Sequence, residues 1–273
     1  MNKNMSDYLR LNRMTHIFCP GCGHGTVMNG LVRALESLQI DKDKTVFVSG
    51  IGCSSRIPGY LDFNTLHTTH GRALAFATGI KMARPELKVI AIMGDGDAAA
   101  IGGNHLIHAC RRNIDITALV LNNSIYGMTG GQYSPLTPAG KMATTAPYGC
   151  FERSFDLCDL AAASGATYVA RGTTYHVRPM EDYIKAAIEH KGFSLVDLVS
   201  QCPTYYGRKN KIGDAVAMLK DMQDRSVSYD EALHLSPHEL EDHIVWGEFV
   251  KRDDVAEYTE LYFGTIASVL GDE

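Results

Sequence analysis

Three short apolar runs constrain this chain more than anything else in it. Lys44–Gly50 (KTVFVSG), Glu86–Gly96 (ELKVIAIMGDG) and Asp115–Asn123 (DITALVLNN) are near-continuous stretches of Val, Ile, Leu, Ala and Met that break off into glycine, aspartate or asparagine. A strand with one wet face alternates apolar and polar residues. A run without alternation has no wet face, as in a parallel strand covered by helices on both sides. Ser194–Cys202 (SLVDLVSQC) reads as a fourth such strand and Ala166–Arg171 (ATYVAR) as a weaker fifth. The stretches between them, GTVMNGLVRALESL, GRALAFATGIKMAR, NHLIHACRR, DLAAASG and MEDYIKAAIEH, have helical character. Strand and helix in alternation predict an α/β fold with a doubly wound, mostly parallel sheet and helices on both faces.

Two segments break the rhythm. Asn123–Gly149 is a long loop rich in Gly, Thr and Pro, and compact domains seldom carry such a loop without a functional use for it. The stretch from Pro203 to Glu273 is more polar, with helical patches and the only tryptophan, Trp246. The chain therefore divides into an α/β domain over residues 1–202 and an extension over 203–273 that packs on the domain or on a partner. No internal repeat or low-complexity tract is present. The net charge of −5 gives no reason to expect nucleic acid or an anionic membrane as a partner. No segment approaches the ~18 uninterrupted apolar residues of a membrane span. The opening MNKNMSDYLRLNRMTH lacks the apolar centre of a secretory signal, so a cytoplasmic location is expected.

Ligands of open α/β sheets bind at the carboxyl ends of the strands. Two strand tips here are unusually polar, MGDGDAAAIGGN after one and LNNSIYG after the next. Asp95 and Asn123 are one strand–helix–strand unit apart and so can meet at adjacent strand ends. A carboxylate, an amide oxygen and a loop carbonyl are hard ligands of the kind Mg²⁺ takes alongside phosphate oxygens. Gly94, Gly96, Gly102 and Gly103 let the backbone approach a phosphate, and a helix starting near Gly103 would aim free N–H groups at it. A dinucleotide fingerprint fits worse, since the third glycine is missing and acids stand where a pyrophosphate would lie. No glutamate closes a twelve-residue calcium loop from Asp95 or Asp97. His105 and His108 share a helix face, a spacing that suits two core or capping histidines better than a second metal site.

GDG followed by NN after such a span resembles the signature of thiamine-diphosphate enzymes. The resemblance implies that the Asp95 and Asn123 side chains and the Ile125 carbonyl ligate Mg²⁺. It also implies that Gly94, Gly96 and Asp97, with Gly127 and Thr129 of GMTGGQ, surround the diphosphate.

Seven cysteines are many for a reducing compartment. Cys110, Cys150 and Cys158 share no pattern. Cys19, Cys22, Cys53 and Cys202 each stand beside Gly, Pro or Ser, in CPGC, GIGCSS and QCPTYYG. Cys53 and Cys202 follow strands, on the same sheet edge as Asp95 and Asn123. Thiamine chemistry decarboxylates 2-oxo acids and leaves an electron-rich product, and a four-thiolate iron–sulfur cluster is an outlet for its electrons. A structural Cys₄ zinc site is the alternative, although such sites usually join two close pairs rather than one pair and two distant singles.

CPGCGHG, GIGCSS, THGRALAFATG, GDGDAAAIGGNH, NNSIYGMTGGQ and QCPTYYG, spread over residues 14–207, resemble the β subunit of 2-oxoacid:ferredoxin oxidoreductases. The resemblance implies one [4Fe–4S] cluster on Cys19, Cys22, Cys53 and Cys202. It implies an α subunit that completes the thiamine site in an (αβ)₂ assembly, with ferredoxin as electron acceptor and coenzyme A as acyl acceptor. The chain alone should be inactive. Arg56, three residues after Cys53, is suited to clamp a substrate carboxylate. With LDFNTLHTTHGRALAFATG it resembles the 2-oxoglutarate branch; pyruvate or a broad range of 2-oxo acids is the alternative. His24 and His70 flank site loops, where each would bond the diphosphate, move a proton or serve the fold. Two other classes remain open. One is a non-oxidative decarboxylase or carboligase with structural zinc, and the other a scaffold that has lost its cofactor.

Overall fold

The structure is a computed structural model and describes residues 4–271. The first three residues of the N-terminal stretch and the last two of the 203–273 extension lie outside the described residues. The runs predicted as strands form the middle of an eight-stranded sheet. Its strands are β1 (Thr45–Ser49), β2 (Asn64–His67), β3 (Lys88–Gly94), β4 (Thr117–Asn122), β5 (Tyr168–Thr173), β6 (Ser194–Val199), β7 (Ser226–Ser228) and β8 (Ile244–Lys251). Their order is β2-β1-β3-β4-β6-β5-β8-β7. The first six are mutually parallel. The chain goes outward from β1 to β2 and returns to β3 on the other side of β1, so the strand order reverses there. A crevice for a ligand opens at such a reversal.

The helices are α1 (Gly23–Ser37), α2 (Ala73–Ala83), α3 (Asp95–Ala99), α4 (Gly103–Arg112), α5 (Leu157–Ala163), α6 (Val177–Glu189), α7 (Ala215–Asp224), α8 (Tyr229–Ala232) and α9 (Tyr258–Leu270). Alternate strand residues face opposite sides, and each side has its own core. Phe47, Ile90, Ile92, Leu119, Leu121 and Val196 pack under α1 and α6. Val48, Val89, Ala91, Met93, Ala118 and Val120 pack under α2, α4 and α5. Burial on both faces explains why these strands lack alternation in sequence.

Three strands carry no such signal. The four residues of β2 are all exposed, at the sheet edge. From the extension, β8 pairs antiparallel with β5, and the short β7 pairs parallel with β8. The extension thus adds two strands to the sheet, on the side remote from β1. Among the described residues no helix is long and apolar enough to cross a membrane.

A second departure concerns the glycine-rich stretch after β3. A short helix, α3, begins at Asp95 itself, and the helix expected from Gly103 follows it as α4, starting at that residue. A Cβ on Gly102 would fall 2.3 Å from the Asp97 carbonyl oxygen and 3.1 Å from that of Gly71. Gly102 therefore serves close packing of backbone on backbone.

Helix α2 carries a buried cation. Lys81 is almost wholly enclosed, and its ammonium donates to the Asp115 carboxylate at 2.5 Å and to the Leu87 carbonyl at 2.9 Å. Removing Asp115 leaves the enclosed ammonium without its counter-charge, at a cost of about 3 kcal/mol or more. Asp115→Ala should therefore lower the unfolding free energy by about that much, read from the shift of the urea midpoint.

Candidate functional site

The tips of β1, β3 and β4 enclose a cavity of about 130 Å³. It is lined from β1 by Ile51, Gly52, Cys53 and Ser54, and from β3 by Gly94, Asp95, Gly96 and Asp97. From β4 come Leu121, Asn123 and Ile125, followed by Tyr126, Gly127, Met128 and Thr129, while His24 and His70 close the sides. The residues that the sequence assigned to magnesium or to the cofactor lie here, except Gly102 and Gly103, which were expected to approach the phosphate and do not line the cavity. Arg56 does not line the cavity. It sits on the exposed side of the short helix Ser54–Tyr60, close enough for its charge to act on the Cys53 thiol.

Local chemistry sets the β4 tip. Asn122 Oδ1 accepts from the Ser124 N–H at 3.2 Å and Asn123 Oδ1 from the Ile125 N–H at 3.3 Å. These two asparagine turns carry Ser124 through a left-handed conformation (φ 58°). The long loop then folds back so that the Ser134 hydroxyl donates to Asp95 Oδ2, and Thr137 Oγ1 donates to the Ser124 carbonyl at 2.6 Å.

Asp97 ties the other tips together. Its Oδ1 accepts from the Gly71 N–H at 2.6 Å and the Ile51 N–H at 3.4 Å, and lies 2.6 Å from His70 Nδ1. Tyr126, which the sequence reading did not single out, lies across α3. Its hydroxyl donates to the Gly96 carbonyl at 3.3 Å, and a Cβ on Gly96 would fall 2.2 Å from its ring. Gly96 is thus required by Tyr126 as well as by any anion above it. Tyr126 stands inside the NNSIYG motif, so position alone could have flagged it.

The site is rich in polar groups short of partners. Burial, with a smaller push from neighbouring Asp197, brings the Asp95 carboxyl up to about 7 against bonds from Ser134 and the Gly96 N–H. Asp97 Oδ2 and His24 Nδ1 are buried with no hydrogen-bond partner among the described residues. Burial lowers His24 to about 4, leaving it a neutral ring at pH 7. Burial raises Tyr126 to about 12, helped by Asp95 and Asp97. A buried carboxylate without a cation, beside an amide oxygen, fits a divalent metal with oxygen ligands.

The four predicted thiols come together beside this cavity. The CPGC turn is closed by the Cys22 N–H on the Cys19 carbonyl at 3.0 Å. It is held to the end of β6 by the Gly23 N–H on the Gln201 carbonyl at 3.0 Å and by Gln201 Nε2 on the Gly21 carbonyl at 3.1 Å. Gly21 (φ 74°) fits against Ala215, where a Cβ would overlap at 2.3 Å. Each thiol lies within electrostatic reach of others in the set, and burial raises Cys22 to about 12 and also raises Cys53 and Cys202. The N–H groups of Thr204, Tyr205 and Tyr206 favour the Cys202 thiolate, and that of His24 favours Cys22. Three thiols held in the neutral state by burial, with N–H groups aimed at two of the sulfurs, suit a metal group whose positive charge ionises them. Among the described residues no three His, Cys, Asp or Glu side chains close to the spacing of a single ion.

A family model described as the C-terminal TPP binding domain of thiamine pyrophosphate enzymes matches residues 50–198. The 2-oxoglutarate synthase subunit KorB of Methanocaldococcus jannaschii is 56% identical over 255 residues, covering 93% of this chain and 94% of that relative. The 2-oxoglutarate oxidoreductase subunit KorB of Mycobacterium tuberculosis is 45% identical over 188 residues, covering 69% of this chain and 50% of the relative. Among solved structures, the 2-oxoglutarate:ferredoxin oxidoreductase of Magnetococcus marinus, with 2-oxoglutarate, coenzyme A and succinyl-CoA bound, superposes with a TM-score of 0.88. It is 36% identical, with 100% of this chain and 92% of that chain covered.

The burial of Asp95 has a consequence for the metal-free chain. An unfolded aspartate titrates near 3.9, whereas folded Asp95 titrates at about 7. Between these values the folded state binds the extra proton, so rising pH costs stability across that window. Asp95→Asn removes this cost. Without metal or cofactor, the variant should gain on the wild type as pH rises from about 4 to about 7, reaching about 1 kcal/mol or more at neutral pH. Parallel urea titrations across that range check it.

Proposed function

The chain belongs to the β subunits of the 2-oxoacid:ferredoxin oxidoreductases, and we propose that its cavity is the diphosphate half of the active site of a 2-oxoglutarate-oxidising, coenzyme A-acylating enzyme. The net reaction is 2-oxoglutarate + CoA–SH → succinyl-CoA + CO₂ + H⁺ + 2 e⁻, with oxidised ferredoxin taking the two electrons, and it is reversible in principle. One observation carries the reading. Cys53, one of four gathered thiols, lines the same cavity as Asp95 and Asn123, so the decarboxylation site and the electron outlet adjoin.

In this reading the Asp95 carboxylate, the Asn123 side-chain oxygen and the Ile125 carbonyl hold Mg²⁺. The backbone of Gly94–Asp97 and the Gly127–Thr129 segment surround the diphosphate. Thiamine diphosphate, when bound, supplies the carbon nucleophile and the electron sink of decarboxylation. Cys19, Cys22, Cys53 and Cys202 hold a [4Fe–4S] cluster. Asp97 keeps the Nδ1 face of His70 engaged, so His70 turns its Nε2 edge to the cavity, where it would bond the cofactor or substrate. His24 is neutral and offers a hydrogen bond without charge.

The enclosed volume of about 130 Å³ is well below the ~300–1,000 Å³ of pockets that bury a whole ligand. That supports a cofactor gripped by one end and completed by an α subunit, in an (αβ)₂ assembly. Residues 1–202 would carry the site, and 203–273 would extend the sheet and meet the partner, in a cytoplasmic enzyme that keeps its thiols reduced. One close Cys pair joined to two distant single cysteines in sequence is unlike the two close pairs usual in structural zinc sites, which weighs against a zinc-stiffened, non-oxidative enzyme. Co-expression with the α subunit and assay of 2-oxo acids for coenzyme A-dependent ferredoxin reduction tests the proposal. Turnover without an electron acceptor would overturn it.

Arg56 supplies the specificity test. A guanidinium beside Cys53 suits the distal carboxylate of 2-oxoglutarate, which 2-oxobutyrate lacks. Arg56→Ala should raise KM for 2-oxoglutarate about tenfold or more and leave that for 2-oxobutyrate nearly unchanged. An equal effect on both substrates would remove Arg56 from carboxylate recognition.

A further inference from the structure

The three segments that carry the four thiols form one surface. Residues 8–25 are tied to residues 199–215 through Gln201, as described above. They are tied to residues 50–61 by the Ile17 N–H on Tyr60 Oη at 2.9 Å. Residues 8–25, 50–61 and 199–215 hold six cations, Arg10, Arg13, Arg56, Arg208, Lys209 and Lys211, against one acid, Asp214. The whole chain carries a net −5, so this concentration of cations runs against the background. Arg13, Arg56, Arg208 and Lys211 are exposed. Between the cations lie exposed apolar side chains, Leu11, Met14 and Ile17. An apolar patch with a charged rim is the composition of a protein-recognition surface rather than of a small-anion site.

The thiols themselves give the surface a direction. Cys53 lines the cavity, Cys22 and Cys202 lie within the protein, and Cys19 is exposed on the CPGC turn and takes no part in the cavity wall. The set therefore spans from the active-site wall to the outside, and Cys19 marks where it reaches solvent. Resting on the reading that these thiols hold a redox cluster, we propose that the cationic face around Cys19 is the docking surface for a small acidic electron-carrier protein. Charge complementarity would steer such a carrier to the place where the cluster is nearest the surface.

The test uses the assembled αβ holoenzyme and an acidic ferredoxin in its oxidised form, with binding measured by calorimetry at low ionic strength. Arg208→Glu with Lys211→Glu should raise Kd about tenfold or more, and the milder Arg208→Gln with Lys211→Gln about threefold. The wild-type affinity should fall steeply with added salt. Iron content, and the rate of methyl viologen reduction with 2-oxoglutarate and coenzyme A, should stay at wild-type values in both variants. A Kd within about twofold of wild type in the charge-reversed protein, or a salt-independent affinity, overturns the docking surface. So does a rise in KM for coenzyme A in the viologen assay, which would assign these cations to the phosphates of that substrate. A wild-type holoenzyme that lacks iron or fails to reduce viologen fails the underlying redox reading, and is distinguished by failing before ferredoxin is added.

Discussion

One buried carboxylate holds the working edge of this protein together. Asp97, just after β3, receives the Ile51 N–H from the β1 tip and the Gly71 N–H and His70 ring from the loop after β2. A Cβ on Gly50 would fall 2.1 Å from the same carboxylate, so β1 can approach only through glycine. Parallel strands place all their carboxyl ends on one side, but nothing in sheet pairing fixes the loops beyond them. Asp97 supplies that fixation. The positions of Cys53, at the end of the β1 loop, and of Asp95, two residues before Asp97, both follow from it.

The same edge is expensive for the isolated chain. Asp95 is buried without a cation, three thiols are held protonated by burial, and Asp97 Oδ2 and His24 Nδ1 have no partner among the described residues. Such groups cluster where a structure gives up stability for function. The rest of the fold follows ordinary rules. Two apolar cores lie on the two faces of the sheet, and the buried charges have partners, as Arg171 has in Asp156 and Asp197.

What was legible in the sequence follows from which residues report on themselves. β1, β3, β4 and β6 are buried on both faces, and their apolar runs announce them. β2 is exposed throughout, and its Asn-Thr-Leu-His carries no pattern to read. β8 pairs with a strand far back in the chain, and its IVWGEFVK lies in a polar extension that gave no reason to expect a sheet. The five residues of α3 are too few to show helical periodicity, so only the helix from Gly103 was legible there. Asp95, Asn123 and the cysteines stand in short motifs whose residue types imply their chemistry. Ser134 matters because a long loop returns it to Asp95, a tertiary fact without a local signature.

The central claim is that the four thiols beside the cavity hold a [4Fe–4S] cluster rather than a structural ion. Iron, acid-labile sulfide and zinc should be quantified in the anaerobically purified protein, and its EPR spectrum recorded after reduction with dithionite. About four irons and four sulfides per chain, with a reduced-cluster signal, is the predicted result. One zinc, no sulfide and a silent spectrum would contradict it and leave a thiamine site without an electron outlet.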